Sequence, residues 1–287
     1  MPFDAKYQIL PESQKRLLPE LVDVKQLGFV LYGGTAISLR LGHRESVDFD
    51  FFSDQPLDKR ALHAAVPALR RSGGEVLQDE DNAYVVLAPA PNPPGRQSGT
   101  PDSSDRMVKL SFFGCLDFGR VSEPELTSDG ALLVAGLRDL MATKLKVLLQ
   151  RVELKDSLDI AELVRHGQPL RQGVEDATAL WPHFNQHDCL RAVTYFNDPE
   201  LSRLTTADRK LLIEKVEPVM EAWMSSYART REEAERLGVA IKDPPFAPSA
   251  IASGQLGLPP KELARAIDAI PREQQLIVRN PQGGRGR

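Results

Sequence analysis

A chain of 287 residues with 41% hydrophobic content can bury one large core or two of ordinary size. Its 36 basic and 40 acidic side chains leave a formal charge of −4, which excludes the global basic footprint of a protein that coats nucleic acid. An RNA partner would have to be held by a local patch, for which Arg40, Arg44, Lys59, Arg60, Arg70 and Arg71 are candidates. No segment nears the roughly 18 consecutive apolar residues of a membrane span, and the start lacks a secretory signal pattern, so a soluble, cytoplasmic protein with no membrane partner is expected. Cys115 and Cys189 stand far apart in no metal-ligand spacing, which predicts two buried small hydrophobes rather than a disulfide or zinc site.

Leu10, Leu17, Leu18, Leu21 and Val24, interrupted by Pro11 and Pro19, predict one or two short helices ahead of the first strand. Phe29 to Tyr32 (FVLY) suits a buried strand, and Gly33-Gly34 then makes a turn without side-chain obstruction. With Thr35 as N-cap, a helix would run through Ala36, Ile37, Leu39 and Leu41 and stop at Gly42, leaving its N–H groups where an anion could dock. Val47 to Phe51 alternates with period two, so Val47, Phe49 and Phe51 would fill a core while Asp48 and Asp50 project from the other face. Two carboxylates so placed repel each other unless a cation lies between them, and hard oxygen ligands suit Mg²⁺ bridging to phosphates. A lone Asp-x-Asp is more often an acidic edge strand, but the glycine turn and helix in front of this one favour a phosphate-and-metal site.

The string GGTAISLRLGHRESVDFDFF resembles the signature of the AbiEii/AbiGii-type nucleotidyltransferase toxins, within the DNA-polymerase-beta-like nucleotidyltransferase superfamily. The resemblance implies that Gly33, Gly34 and Thr35 contact NTP phosphates and that Asp48 and Asp50 are catalytic and hold Mg²⁺, while Arg44 either adds charge beside the triphosphate or anchors the turn after the helix.

Leu57, Leu62, Val66 and Leu69 predict a helix within residues 56–72, broken at Pro67 and ended by Gly73-Gly74. Glu75 to Gln78 and Ala83 to Ala88 read as strands around the turn Asp79 to Asn82. Residues 89–105, dense in Pro, Gly and Ser, predict a surface loop before the strand Met107 to Phe113. In the superfamily a third carboxylate often sits on such a strand, and the matching position here is Ser111, which counts against a three-carboxylate, two-metal mechanism. Asp117 reads as an ordinary loop acid.

Leu137, Leu140, Met141, Leu145 and Leu148 form the apolar stripe of a helix, and Lys144 falls inside it. Its ammonium would either snorkel to the surface or reach a cleft to meet phosphates or the acids Asp48 and Asp50. Lys146 is expected to face solvent. On local chemistry Asp156 would be the N-cap of the next helix, with Asp159 in its first turn and paired to Lys155. Asp139, Lys144, Arg151, Lys155, Asp156 and Asp159 also match the downstream motifs of the resembled family. That likeness implies that Lys144 binds the triphosphate and that catalytic Asp156 acts as general base or holds Lys144.

Further helices are expected over residues 170–180, 187–196 and 207–226, with the run CLRAVTYFNDPEL also resembling AbiEii-type proteins. His183 and His187 read as surface or packing residues, and Trp181 and Trp223 as core anchors. A charged helix over 228–243, a Pro-rich linker, a short helix over 259–270 and a basic tail follow. The expected architecture is an α/β (α+β) fold: a mixed-sheet nucleotidyltransferase module over 1–135, a helical domain over 136–227 completing the cleft, and an extension over 228–287. By resemblance, the activity is Mg²⁺-dependent transfer of a nucleotide from an NTP to an RNA hydroxyl, the tRNA acceptor end leading, by a toxin with a separately encoded antitoxin. Nucleotidylation of a protein hydroxyl, or a catalytically silent binding module, are the alternatives.

Overall fold

The computed structural model describes residues 2–93 and 107–236. The N-terminal leucines form one short helix, α1 (Glu12–Leu17), and several 3-10 turns that bury Leu10, Leu17, Leu21 and Val24. The chain then enters β1 (Val30–Tyr32), α2 (Gly33–Leu41) and β2 (Asp48–Phe52). Next come α3 (Lys59–Ala65), β3 (Glu75–Glu80), β4 (Ala83–Pro89) and β5 (Met107–Phe113). The helix expected over 56–72 does break at Pro67, which opens a 3-10 turn instead. β6 (Glu125–Leu126) and β7 (Leu133–Val134) are short. Five helices complete the described chain: α4 (Leu137–Leu148), α5 (Leu154–Arg165), α6 (Leu170–Leu180), α7 (Gln186–Val193) and α8 (Thr206–Arg236).

All seven strands belong to one mixed sheet in the order β3-β4-β5-β2-β1-β7-β6. β2 is central, antiparallel to β1 and parallel to β5, so the two-residue period of the strand decides what faces the core. Phe49 and Phe51 are buried, and Phe51 stacks on Phe112 of β5 with ring centroids 5.3 Å apart. Phe29 meets Phe112 edge-on at 5.4 Å. This aromatic cluster locks the pairing register, because a slip of one residue would turn both phenylalanines out and both aspartates in. Val47, expected in the core, precedes the strand and is 61% exposed.

The helix expected over 207–226 and the described part of the one expected over 228–243 are one 31-residue helix, α8, and residues 237–243 lie outside the described residues. Nothing between them breaks a helix, and Pro218 inside it sits on an exposed side. Cys189 is buried as expected, whereas Cys115 is exposed, held at φ 53° in the loop after β5. His187 is buried and stacks on Trp223 at 4.8 Å; both tryptophans are only half-buried. The Pro-rich loop from 94 on, the helix expected over 259–270 and the basic tail lie outside the described residues. Among the described residues no helix is long and apolar enough to cross a membrane.

The chain divides into two compact units, Met1–Lys144 with Glu162–Pro182, and Leu145–Ala161 with the chain from His183 onward. In the first, the loop between β5 and β6 is tied to the start of α4 by Asp139, which is 1% exposed. Its carboxylate accepts the backbone N–H groups of Val121 at 3.0 Å and Ser122 at 2.9 Å, together with the Ser122 hydroxyl. Hydrogen bonds to a charged group contribute about 1.5–3 kcal/mol each, and leaving the donors unmet adds to the loss. Asp139→Ala is therefore expected to lower unfolding stability by about 2–4 kcal/mol, read from the urea midpoint, and Asp139→Asn by less because it keeps one acceptor.

Candidate active site

The outward face of β2 carries Asp48, Asp50 and Phe52 in a row. Cross-strand partners share a face, so Tyr32 of β1, opposite Asp50, and Lys109, Ser111 and Phe113 of β5, opposite Asp48, Asp50 and Phe52, belong to the same surface. The sequence K-x-S-x-F thus lies beside D-x-D-x-F. Ser111 occupies the place proposed for a third acid, is 1% exposed and hydrogen-bonds Asp50. Lys109 places its ammonium 3.8 Å from Asp48.

The turn from β1 into α2 is built around Asp50. Gly33 has φ +72°, and a Cβ there would come 2.6 Å from Asp50 Oδ2, so any other residue would be strained and would push the carboxylate aside. At Gly34 a Cβ would fall 2.6 Å from an Arg44 guanidinium nitrogen and 2.9 Å from Ser46 Oγ. The bare first turn of α2 therefore lies between a carboxylate and a guanidinium, an arrangement in which backbone N–H groups and Arg44 can both meet an anion. Thr35 is not the N-cap. The helix begins two residues earlier, after Tyr32, and the buried Thr35 hydroxyl donates to the Asp48 carbonyl, so it fixes the position of β2 against α2.

Burial pushes the half-buried Asp50 carboxyl above its ordinary value, and the negative charge of Asp48 adds to the rise; the Ser111 hydrogen bond, Lys109 and Lys144 pull it down. Lys144 does not snorkel to water: only 6% is exposed, and its charge acts on Asp50. Lys146, expected in solvent, is half-buried and burial lowers its pKa. Among the described residues no three His, Cys, Asp or Glu side chains cluster to cage a metal. Two carboxylates on one strand face, one of them pushed toward neutrality by burial and then by its neighbour, are oxygen donors of the kind that would suit Mg²⁺.

Beyond Asp50 the same face opens into a cleft of about 240 Å³ lined by Tyr32, Phe52, Phe118 and Arg120 among others. Tyr32 is pushed up to about 12 by burial and by the charge of Asp139, against the opposing effect of a hydrogen bond from Arg120. Sequence reasoning read Tyr32 only as the end of a buried strand, and it missed Phe118 and Arg120 because a loop of mixed composition gives no periodic signal.

Asp156 belongs to the second unit. It is not an N-cap: α5 starts at Leu154, and the fully buried Asp156 carboxylate accepts from Arg151 Nε at 3.0 Å. Lys155 forms its ion pair with Glu153 at 2.8 Å, and Asp159 is also fully buried. Four of the basic residues considered for RNA are engaged with neighbours. Arg40 binds Glu125 at 2.7 Å, Lys59 binds Asp79 at 2.5 Å, Arg70 binds the His63 carbonyl at 2.6 Å, and Arg71 binds Glu20 at 2.5 Å.

The chain is 26% identical over 228 residues to aq_aa25, an uncharacterised protein of Aquifex aeolicus (strain VF5), spanning 78% of this chain and 97% of that one. Solved structures similar to it include JHP933 from Helicobacter pylori, at 15% identity and TM-score 0.47 over 77% of this chain and 94% of that one. MenT4, a nucleotidyltransferase toxin of Mycobacterium tuberculosis H37Rv, aligns at 16% identity and TM-score 0.39 over 73% of this chain and 90% of that one. The family model described as nucleotidyl transferase AbiEii toxin, type IV toxin-antitoxin system, matches residues 16–236, a span that holds the glycine turn, both strand aspartates and Lys144. The chain is therefore a nucleotidyltransferase, and it belongs to the AbiEii toxin family.

Proposed function

We propose that the protein transfers a nucleotide from an NTP to an RNA hydroxyl, with the tRNA acceptor end as the leading target, as the toxin of a pair whose antitoxin is separately encoded. The observation that carries this reading is the placement of Asp48 and Asp50 on one face of β2, against the glycine turn of α2, with Arg44 and Lys144 as cations at the same site. In this reading Asp48 and Asp50 hold Mg²⁺, which when bound screens the negative charge of the triphosphate. Backbone N–H groups at Gly33 and Gly34, with Arg44, bind the phosphates, while Thr35 holds the strand. The acceptor oxygen bonds to the α-phosphorus, the bond to the bridging oxygen breaks, and pyrophosphate departs toward Lys144, whose ammonium offsets its growing charge. The acceptor proton passes to solvent, because Ser111 stands where a third carboxylate would accept it. Asp156, buried and gripped by Arg151, suits an anchoring role better than that of a base.

Incubation with each α-labelled NTP, Mg²⁺ and total RNA or lysate is expected to label RNA, and Asp48→Ala or Asp50→Ala to cut labelling by at least about 10²-fold. Label in protein instead would favour the protein-hydroxyl alternative, and none at all a silent module.

A second prediction follows from the raised Asp50 carboxyl. A folded-state value above the unfolded one gives stability that is complete below the unfolded range and is lost as pH rises through the folded value. Asp50→Asn does not titrate. Its melting temperature, relative to the parent protein, should rise as pH goes from the acid side of the carboxylate range to neutrality, even as transfer is lost. A relative stability that falls or stays flat over that range would contradict the assignment.

A further inference from the structure

Along the outward face of β2 the chemistry changes in a fixed order. Arg44, packed on Gly34, and Lys109, 3.8 Å from Asp48, stand at one end. The two aspartates follow, and then the aromatic pair Phe52 and Tyr32, in edge contact at 5.2 Å, where the cleft of about 240 Å³ opens. A nucleoside triphosphate has the same polarity: polyanion, pentose, flat heterocycle. Alternate residues on one strand face lie about 6.6 Å apart, which leaves room for a pentose between an α-phosphate at Asp50 and a base beside Phe52.

We infer that this cleft is the nucleobase subsite, with Tyr32, Phe52 and Phe118 as its walls and Arg120 as a donor to the base; the inference rests on the nucleotidyl-transfer reading of Asp48 and Asp50. The rim argues against the cleft holding phosphate. Asp54 and Glu123 line it alongside Arg120, so its acids outnumber its single guanidinium. Those carboxylates suit the amino groups of a base and repel a polyphosphate. The walls are held in place before any ligand arrives. Arg120 donates to the Tyr32 hydroxyl, Phe118 packs on Trp181 with centroids 5.1 Å apart, and Asp139 clamps the two residues after Arg120.

Trp181 makes the site readable. The chain has two tryptophans, so Trp223→Phe leaves Trp181 as the lone reporter beside Phe118. Titrating that protein with Mg²⁺ and each NTP should change Trp181 emission saturably, while tripolyphosphate should compete for binding without changing it. Phe118→Ala and Arg120→Ala should weaken NTP binding by about 5- to 100-fold and leave tripolyphosphate affinity intact, which also certifies that the variants are folded. Variants that bind NTP like their parent would overturn the base subsite while leaving the nucleotidyl-transfer reading in place. A raised KM for the acceptor with unchanged NTP binding would give the cleft to the acceptor and overturn it too. Binding of neither NTP nor tripolyphosphate would sink both.

Discussion

The Asp50 carboxylate occupies the space that a side chain on Gly33 would fill, and this single close approach organises the surrounding structure. It forces a glycine at a positive φ, which sets the angle at which α2 leaves β1. It also brings negative charge against the bare first turn of a helix, the end at which backbone dipoles favour an anion. Yet burial and Asp48 drive the same carboxyl toward neutrality. The site thus holds an electrostatic tension that a bound cation would relieve, and the phenylalanines on the opposite face of β2 keep the strand from escaping it by a shift of register.

The pairing of β2 with β5 decides what chemistry that tension can serve. Opposite the two acids the neighbouring strand presents Lys109 and Ser111, a cation and a neutral hydroxyl. A carboxylate in place of Ser111 would raise the repulsion at Asp50 further and call for a second ion; the serine instead supplies a hydrogen bond to the carboxylate already there. If Asp48 and Asp50 hold Mg²⁺ as proposed, its remaining positions would fall to water and to oxygen atoms of a ligand.

The fold and the acidic pair were legible because both rest on short-range pattern. Period-two alternation placed Asp48 and Asp50 together, the glycine pair marked the turn, and the position of Ser111 could be read before any strand was paired. What stayed hidden depended on contacts distant in sequence. Thr35 looked like a cap because its local context suits one, whereas its hydroxyl is committed to the Asp48 carbonyl across the turn. Asp156 looked like a cap for the same reason, and Arg151 claims it. Asp139 carried no sign that it would clamp the loop at 121–122, and Phe118 and Arg120 of the cleft lie in a segment without periodicity. Arg40 and Arg71, first considered as part of an RNA surface, pair with Glu125 and Glu20 from other elements, which no one-dimensional charge pattern records.

Lys144 ties the helical part of the chain into this argument. A lysine in an apolar stripe ordinarily keeps its ammonium in water, because an isolated buried charge costs several kcal/mol even after the surroundings relax. Here the side chain is 6% exposed, and among its neighbours on α4 Leu140, Met141, Ala142 and Leu145 are all buried. Such a placement is tolerable only where negative charge compensates it, and Asp50 feels its field. Lys144 is one of the groups that hold the Asp50 carboxyl down, after the Ser111 hydrogen bond and Lys109. Under the nucleotidyl-transfer proposal, the stripe that buries Lys144 would set where the negative charge of a phosphate lies.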